Sequence, residues 1–129
     1  MNIALIAHET KKELMMQFCI AYCGVLSKHY ICALEPVSKE ISDLTGLCVE
    51  GFLSYEDGGD QQILSKISCQ EVDLLLFFRD GLNLKFGKPL DGDILRLCDT
   101  HNIPIATNTA TAEVLIRGLK RGDLDWRAS

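Results

Sequence analysis

Apolar positions along this chain form short unbroken runs, separated by stretches in which they recur every three or four residues. Ile3–Ala7 is a continuous run, the pattern of a strand buried on both faces of a parallel sheet. Thr10-Lys11-Lys12-Glu13 then sets a hydroxyl and a carboxylate three residues apart, which reads as a capping box. Leu14, Phe18, Tyr22 and Leu26, with Met15, Cys19 and Val25, keep helical spacing, so one helix is expected from Lys11 to about Ser27. Tyr30–Leu34 predicts a second strand. Pro36 is placed to open the next helix, with Val37, Ile41 and Leu44 on its apolar stripe and Gly46 as its stop. Leu47–Val49 with Phe52-Leu53 gives a weaker third strand. A helix from Gln61 to about Ser68 follows, and Val72–Phe78 is the strongest strand signal in the chain.

Gly81, Asn83, Gly87 and Pro89 disfavour regular structure, so Gly81–Leu90 reads as a loop. Asp91 is expected to cap a fourth helix reaching about His101. Ile103–Thr107 is the fifth strand, with Pro104 tolerable at its start or at an edge. Thr109 is expected to cap a last helix, Ala110–Arg117, stopped by Gly118. Strands and helices therefore alternate five times, at intervals of about 25 residues, which argues for right-handed crossovers. The expected fold class is α/β: one three-layer α/β/α domain over residues 1–129, built on a mainly parallel five-stranded sheet.

Composition supports a folded core. The 129 residues are 47% hydrophobic, with a mean hydropathy of +0.11. A net charge of −5 makes a nucleic-acid partner a poor fit. No apolar run approaches the roughly 20 residues that span a bilayer. The first run has no basic start and is cut short by His8-Glu9, so a cytoplasmic protein is expected. None of the six cysteines forms a C-x-x-C pair. Buried, reduced thiols are the expectation, rather than disulfides or a zinc site.

In open α/β sheets ligands bind beyond the carboxyl ends of the strands. There this chain places His8, Glu9 and Lys12 after the first strand, and Glu35 and Ser38 after the second. The third crossover supplies Ser54, Gly58, Gly59 and Asp60. The fourth and fifth strands lead to Arg79, Asp80 and Asn83, and to Thr107, Asn108 and Thr109. This is the polar inventory of a small-molecule site, without a P-loop or a dinucleotide fingerprint. Within it, Gly58-Gly59-Asp60-Gln61-Gln62 stands out. Two glycines permit close approach and unusual dihedrals, and a carboxylate follows at a helix start, where negative charge is favoured. Asp60 is thereby a candidate proton-abstracting base.

The same residues carry a resemblance to the methylglyoxal synthase family. It runs through His8-Glu9-x-x-Lys12, Thr45-Gly46, Gly58-Gly59-Asp60-Gln61-Gln62, Asp73 to Phe78 with Asp80-x-Leu82-Asn83, and Asn102 to Asn108 with Thr111-Ala112. The resemblance implies a homohexamer that converts dihydroxyacetone phosphate to methylglyoxal and phosphate, with no metal and no organic cofactor. It implies Asp60 as the base and His8 and Lys12 as substrate contacts. Residue chemistry adds His8 as donor to the carbonyl oxygen and Asp80 as a proton shuttle or positioning group. Ser38, Ser54, Gly58, Gly59 and Asn108 complete the expected substrate-binding set. The expected partners are a small phosphorylated or carbonyl metabolite and further copies of the chain, with no nucleic acid and no membrane.

Where the family carries a Thr-Gly-Thr-Thr-Gly phosphate loop, this chain reads Leu34-Glu35-Pro36-Val37-Ser38. The family's Ser-Gly-Pro is Ser54-Tyr55-Glu56, its second histidine aligns with Gly87, and its following aspartate falls at Leu90, beside Asp91. Glu35 adds negative charge where phosphate would sit, and two unit charges about 4 Å apart cost roughly 4 kcal/mol at an effective dielectric of 20. Two explanations stand. Either Lys85, Lys88 or Arg79 restores anion binding for the same substrate, or the chain binds a different small metabolite, as a sensor or an altered enzyme.

Overall fold

The computed structural model describes residues 1–82 and 89–128; Asn83, Lys85, Gly87 and Lys88 lie outside the described residues. Five strands form one sheet: β1 (Asn2–Ala7), β2 (Tyr30–Leu34), β3 (Val49–Phe52), β4 (Leu74–Phe78) and β5 (Ile105–Ala106). Their order is β3-β2-β1-β4-β5, and every neighbouring pair is parallel. The chain winds outward from β1 to β3, then returns to β4 on the other side of β1. The order therefore reverses between β1 and β4, where such sheets open a crevice.

Along β4 side chains alternate between two cores, which is why its sequence is apolar throughout. Leu74, Leu76 and Phe78 join Ile3 and Leu5 beneath α1 (Lys12–Ala21), α3 (Val37–Thr45) and α6 (Thr109–Arg121). Leu75 and Phe77 join Ala4 and Ile6 beneath α4 (Gly59–Ser68) and α5 (Pro89–Thr100). The helices thus divide between the two faces, completing the three layers.

Several boundaries depart from the hydrophobic pattern. The first helix is interrupted at Tyr22, whose ψ of 22° separates α1 from the short α2 (Cys23–Leu26). The Tyr22 ring packs on Phe18 with centroids 4.8 Å apart. No capping box forms, because the Thr10 hydroxyl donates to Asp80 Oδ2 at 2.6 Å. Gly46 does end α3, at a φ of 77°. The third strand includes Glu50 and Gly51, since pairing with β2 carries it through polar positions. Asp91 lies inside α5 and not at its cap. Asn108, not Thr109, caps α6, its side-chain oxygen accepting from Thr111 N–H at 3.0 Å. That helix runs through Gly118 to Gly122, where φ reaches 85°.

All six cysteines are free, but only Cys19 and Cys98 are buried; Cys48 and Cys69 are exposed. Burial pushes the Cys19 thiol up to about 12 and those of Cys32 and Cys98 up to about 11. No helix among the described residues is long and apolar enough to cross a membrane.

Candidate active site

The site begins where β1 and β4 end. Ala7 pairs with Phe78, so the next residues, His8 and Arg79, leave the sheet side by side. Alternation turns both toward the face of Ile6 and Phe77, the face covered by α4 and α5. The His8 backbone N–H donates to Phe78 O at 3.0 Å, extending the ladder by one bond.

Two bonds fix the His8 ring. Asp80 N–H donates to Nδ1 at 2.9 Å, and Nε2 lies 2.6 Å from Asp91 Oδ2. A backbone N–H can only donate, so Nδ1 is the acceptor and Nε2 carries the hydrogen. The ring also meets Phe77 edge-on, with centroids 5.4 Å apart. Asp91 is 7% exposed and reaches His8 from the first turn of α5. It is the functional candidate that sequence reasoning assigned to helix capping. The one available signal was its place next to the position of a family aspartate.

Asp80 is 8% exposed and belongs to the framework of the same turn. Its Oδ2 accepts from the Thr10 hydroxyl and its Oδ1 from Leu82 N–H at 3.0 Å. It fixes the exit of β4 to the segment after β1, and its backbone orients His8.

Asp60 comes from the third crossover. The Ser54 hydroxyl donates to Asp57 Oδ2 at 2.9 Å, and the Ser54 carbonyl accepts from Gly59 N–H at 2.8 Å. Gly58 has a φ of 103°, which a side chain would strain. A Cβ on Gly59 would lie 1.9 Å from the Leu53 carbonyl oxygen, so only glycine fits there. Gln62 Oε1 accepts from Leu53 N–H at 2.6 Å. The two glycines thus bring the start of α4 against the end of β3, and Asp60 is carried at a fixed place in the first turn. Half-buried, its carboxylate has no side-chain hydrogen bond or ion pair among the described residues.

The residues expected to hold a phosphate lie at the α1 and α3 side of the same edge. Lys12 Nζ meets Glu40 Oε2 at 2.8 Å and Oε1 at 3.0 Å. The hydrogen bond to Glu40 raises the lysine above its ordinary value, against a smaller desolvation effect. Ser38 is buried, and its Oγ has no hydrogen-bond partner among the described residues. Glu35 lies beside it: a Cβ on Gly51 would fall 2.2 Å from Glu35 Oε1 and 2.8 Å from Ser38 Oγ. Gly51 is therefore the space into which the Glu35 carboxylate folds. Asn108 is exposed at the start of α6, its oxygen engaged in the cap.

The structure brings His8, Asp80 and the unanticipated Asp91 into direct contact. It sets Asp60 on the α4/α5 face with His8, and it commits Lys12 to a carboxylate.

A scan against protein-family models finds no match. Among curated proteins, the chain is 54% identical to the methylglyoxal synthase of Caldicellulosiruptor saccharolyticus over 127 residues, covering 98% of this chain and 90% of the relative. It is 51% identical to that of Oceanobacillus iheyensis, covering 98% and 91% respectively. Among solved structures, the fold is similar to the methylglyoxal synthase of Elizabethkingia anophelis, with a TM-score of 0.79 and 33% identity, covering 89% of this chain and 76% of that one. These similarities favour the synthase reading over a metabolite sensor. With this fold and these relatives, the chain belongs to the methylglyoxal synthase family and is a methylglyoxal synthase-like lyase.

Proposed function

We propose that the chain converts dihydroxyacetone phosphate to methylglyoxal and inorganic phosphate, with Asp60 as the base. The observation that carries this reading is the state of Asp60. Among the described residues its carboxylate has no committed partner, and it sits on a helix start that glycines lock in place. Asp91, by contrast, is bonded to His8.

The chemistry follows from these groups. Asp60 takes a proton from the hydroxymethyl carbon next to the ketone, and the C–H electron pair moves into an enediolate. Collapse of that enediolate breaks the C–O bond to phosphate, which leaves with the bonding pair. The remaining enol tautomerises to methylglyoxal. Charge develops on the carbonyl oxygen, and the Nε2–H of His8 is the donor that meets it, shared with or released by Asp91. Asp80 holds His8 through its backbone N–H. A carboxylate is a weak base near neutral pH, so fixed geometry carries much of the rate. Ser54, Gly58 and Gly59 shape the floor beside Asp60. Lys12, Ser38 and Asn108 border the substrate from the other elements of the edge.

Purified protein supplied with dihydroxyacetone phosphate should release methylglyoxal and phosphate. Asp60→Asn should lower kcat at least a thousandfold while leaving the circular dichroism spectrum and Tm in place. Undiminished turnover in that variant removes Asp60 as the base.

We further propose, on the family resemblance, that residues 1–129 act as a single domain, that six copies assemble, and that the protein works in the cytoplasm. Sedimentation equilibrium and cell fractionation test the last two points.

A further inference from the structure

Lys12 and Arg79, two positive groups among the described residues of this sheet edge, differ in one respect. Lys12 is held by both oxygens of Glu40. Arg79, exiting the sheet next to His8, makes no ion pair among the described residues. Its neighbour Asp80 accepts from Thr10 and Leu82. The intervening sequence 83–88 holds no aspartate or glutamate.

Arg79 is half-buried, and its guanidinium carbon stands 5.8 Å above the Phe77 ring, the ring that His8 meets from its edge. Its Nε is buried and has no acceptor among the described residues. A guanidinium stays charged at any physiological pH, and a buried N–H without an acceptor is costly. Such a group is at its most stable with an anion on its planar fork, which matches phosphate oxygens two at a time.

On the Lys12 side the balance is reversed. Glu40 occupies the lysine, and Glu35 folds against Ser38 and Gly51 where the family's phosphate loop would be. Lys12 is under the charge of two carboxylates, Glu40 and Glu9.

We propose that Arg79 is the residue that anchors the substrate's anionic group, taking over from the altered loop at Leu34–Ser38. The proposal rests on the reading above that the substrate is a phosphorylated ketone. Arg79 lies on the same face as His8 and the start of α4, so an anion on its fork keeps the reacting carbons within that crevice. Product phosphate leaves from the same fork. The cation–π contact with Phe77 restrains the guanidinium and limits the entropy lost when the anion binds.

The test uses full-length protein with inorganic phosphate and with dihydroxyacetone phosphate as probes. Phosphate should raise the Tm of the wild type and inhibit it competitively. Arg79→Gln should abolish the thermal shift, and raise both the inhibition constant for phosphate and KM by about ten- to a hundredfold, with kcat changed only a few-fold. Arg79→Lys, which keeps the charge but lacks the fork, should recover part of the affinity and also serves if the glutamine variant does not fold. Unaltered KM and phosphate inhibition in both variants overturns the proposal, as does a wild type that phosphate neither stabilises nor inhibits. If the wild type turns over and the variants match it, the synthase reading stands and Arg79 is not the anchor. If the wild type is inactive but shows a phosphate shift that Arg79→Gln removes, the anchor stands and the synthase reading fails.

Discussion

His8 and Asp91 are 83 positions apart in sequence and share a 2.6 Å hydrogen bond. That separation explains why the pair was not legible from residues alone, whereas the place of Asp60 at a helix start was. Asp60 announces itself by its neighbours in the chain, two glycines and two amides, while Asp91 acquires meaning only when α5 is docked on the sheet. His8 was legible by its place after β1, but the direction of its hydrogen was not. Under the proposed mechanism, Asp91 acts on the reaction through His8, as a positioning residue. Asp91→Asn should lower kcat by roughly ten- to a hundredfold with a smaller change in KM. The tautomer gives an independent readout. In the wild type, nitrogen NMR of His8 should report a protonated Nε2 and an acceptor Nδ1. A mixed population in Asp91→Asn is expected, and an unchanged tautomer with unchanged kcat would assign Asp91 to packing alone. Lys12 shows the converse lesson: its type and spacing fit a phosphate contact, but spacing could not reveal that Glu40, one turn into another helix, had taken its charge.

The strands were the most legible elements, because β1, β2 and β4 are buried on both faces and read as plain apolar runs. Helix ends were less so, since competing partners decide them. Thr10 had the spacing of a capping box, yet its hydroxyl serves Asp80. Gly118 looked like a stop, but the chain continues helically and Gly122 takes the left-handed position. The start of α4 is the element on which the site depends most. Gly59 is fitted there against the Leu53 carbonyl and the Leu34 side chain. Gly59→Ala should therefore destabilise the fold by about 1–3 kcal/mol through overpacking, read as a lower Tm or urea midpoint. Activity should fall further than stability accounts for, because α4 can relieve the clash only by moving Asp60. A variant with normal kcat and normal Tm would show that the contact is not limiting.

In the whole molecule, the parallel order and the reversal between β1 and β4 set the location of the crevice before any side chain is considered. That much followed from the rhythm of strands and helices. The division of charge within the crevice did not, because it depends on which carboxylate reaches which cation across the layers. The sheet also distributes its stability unevenly. β3 is an edge, paired with β2 alone, and Glu50 and Gly51 within it are exposed to solvent. The segment that leaves it holds α4 through Gly59 N–H to Ser54 O and Leu53 N–H to Gln62. Asp60, the proposed base, is thus fastened to the border of the fold and not to its middle. Borders open at lower free energy than cores. Mild urea should abolish turnover before the circular dichroism signal moves, and amide exchange at Val49–Phe52 should quicken over the same range while Leu74–Phe78 stays protected. Coincident loss of activity and secondary structure would show that β3 and the core unfold as one unit. The enzyme's working limit would then be set by its outermost strand fraying, a local event well short of denaturation.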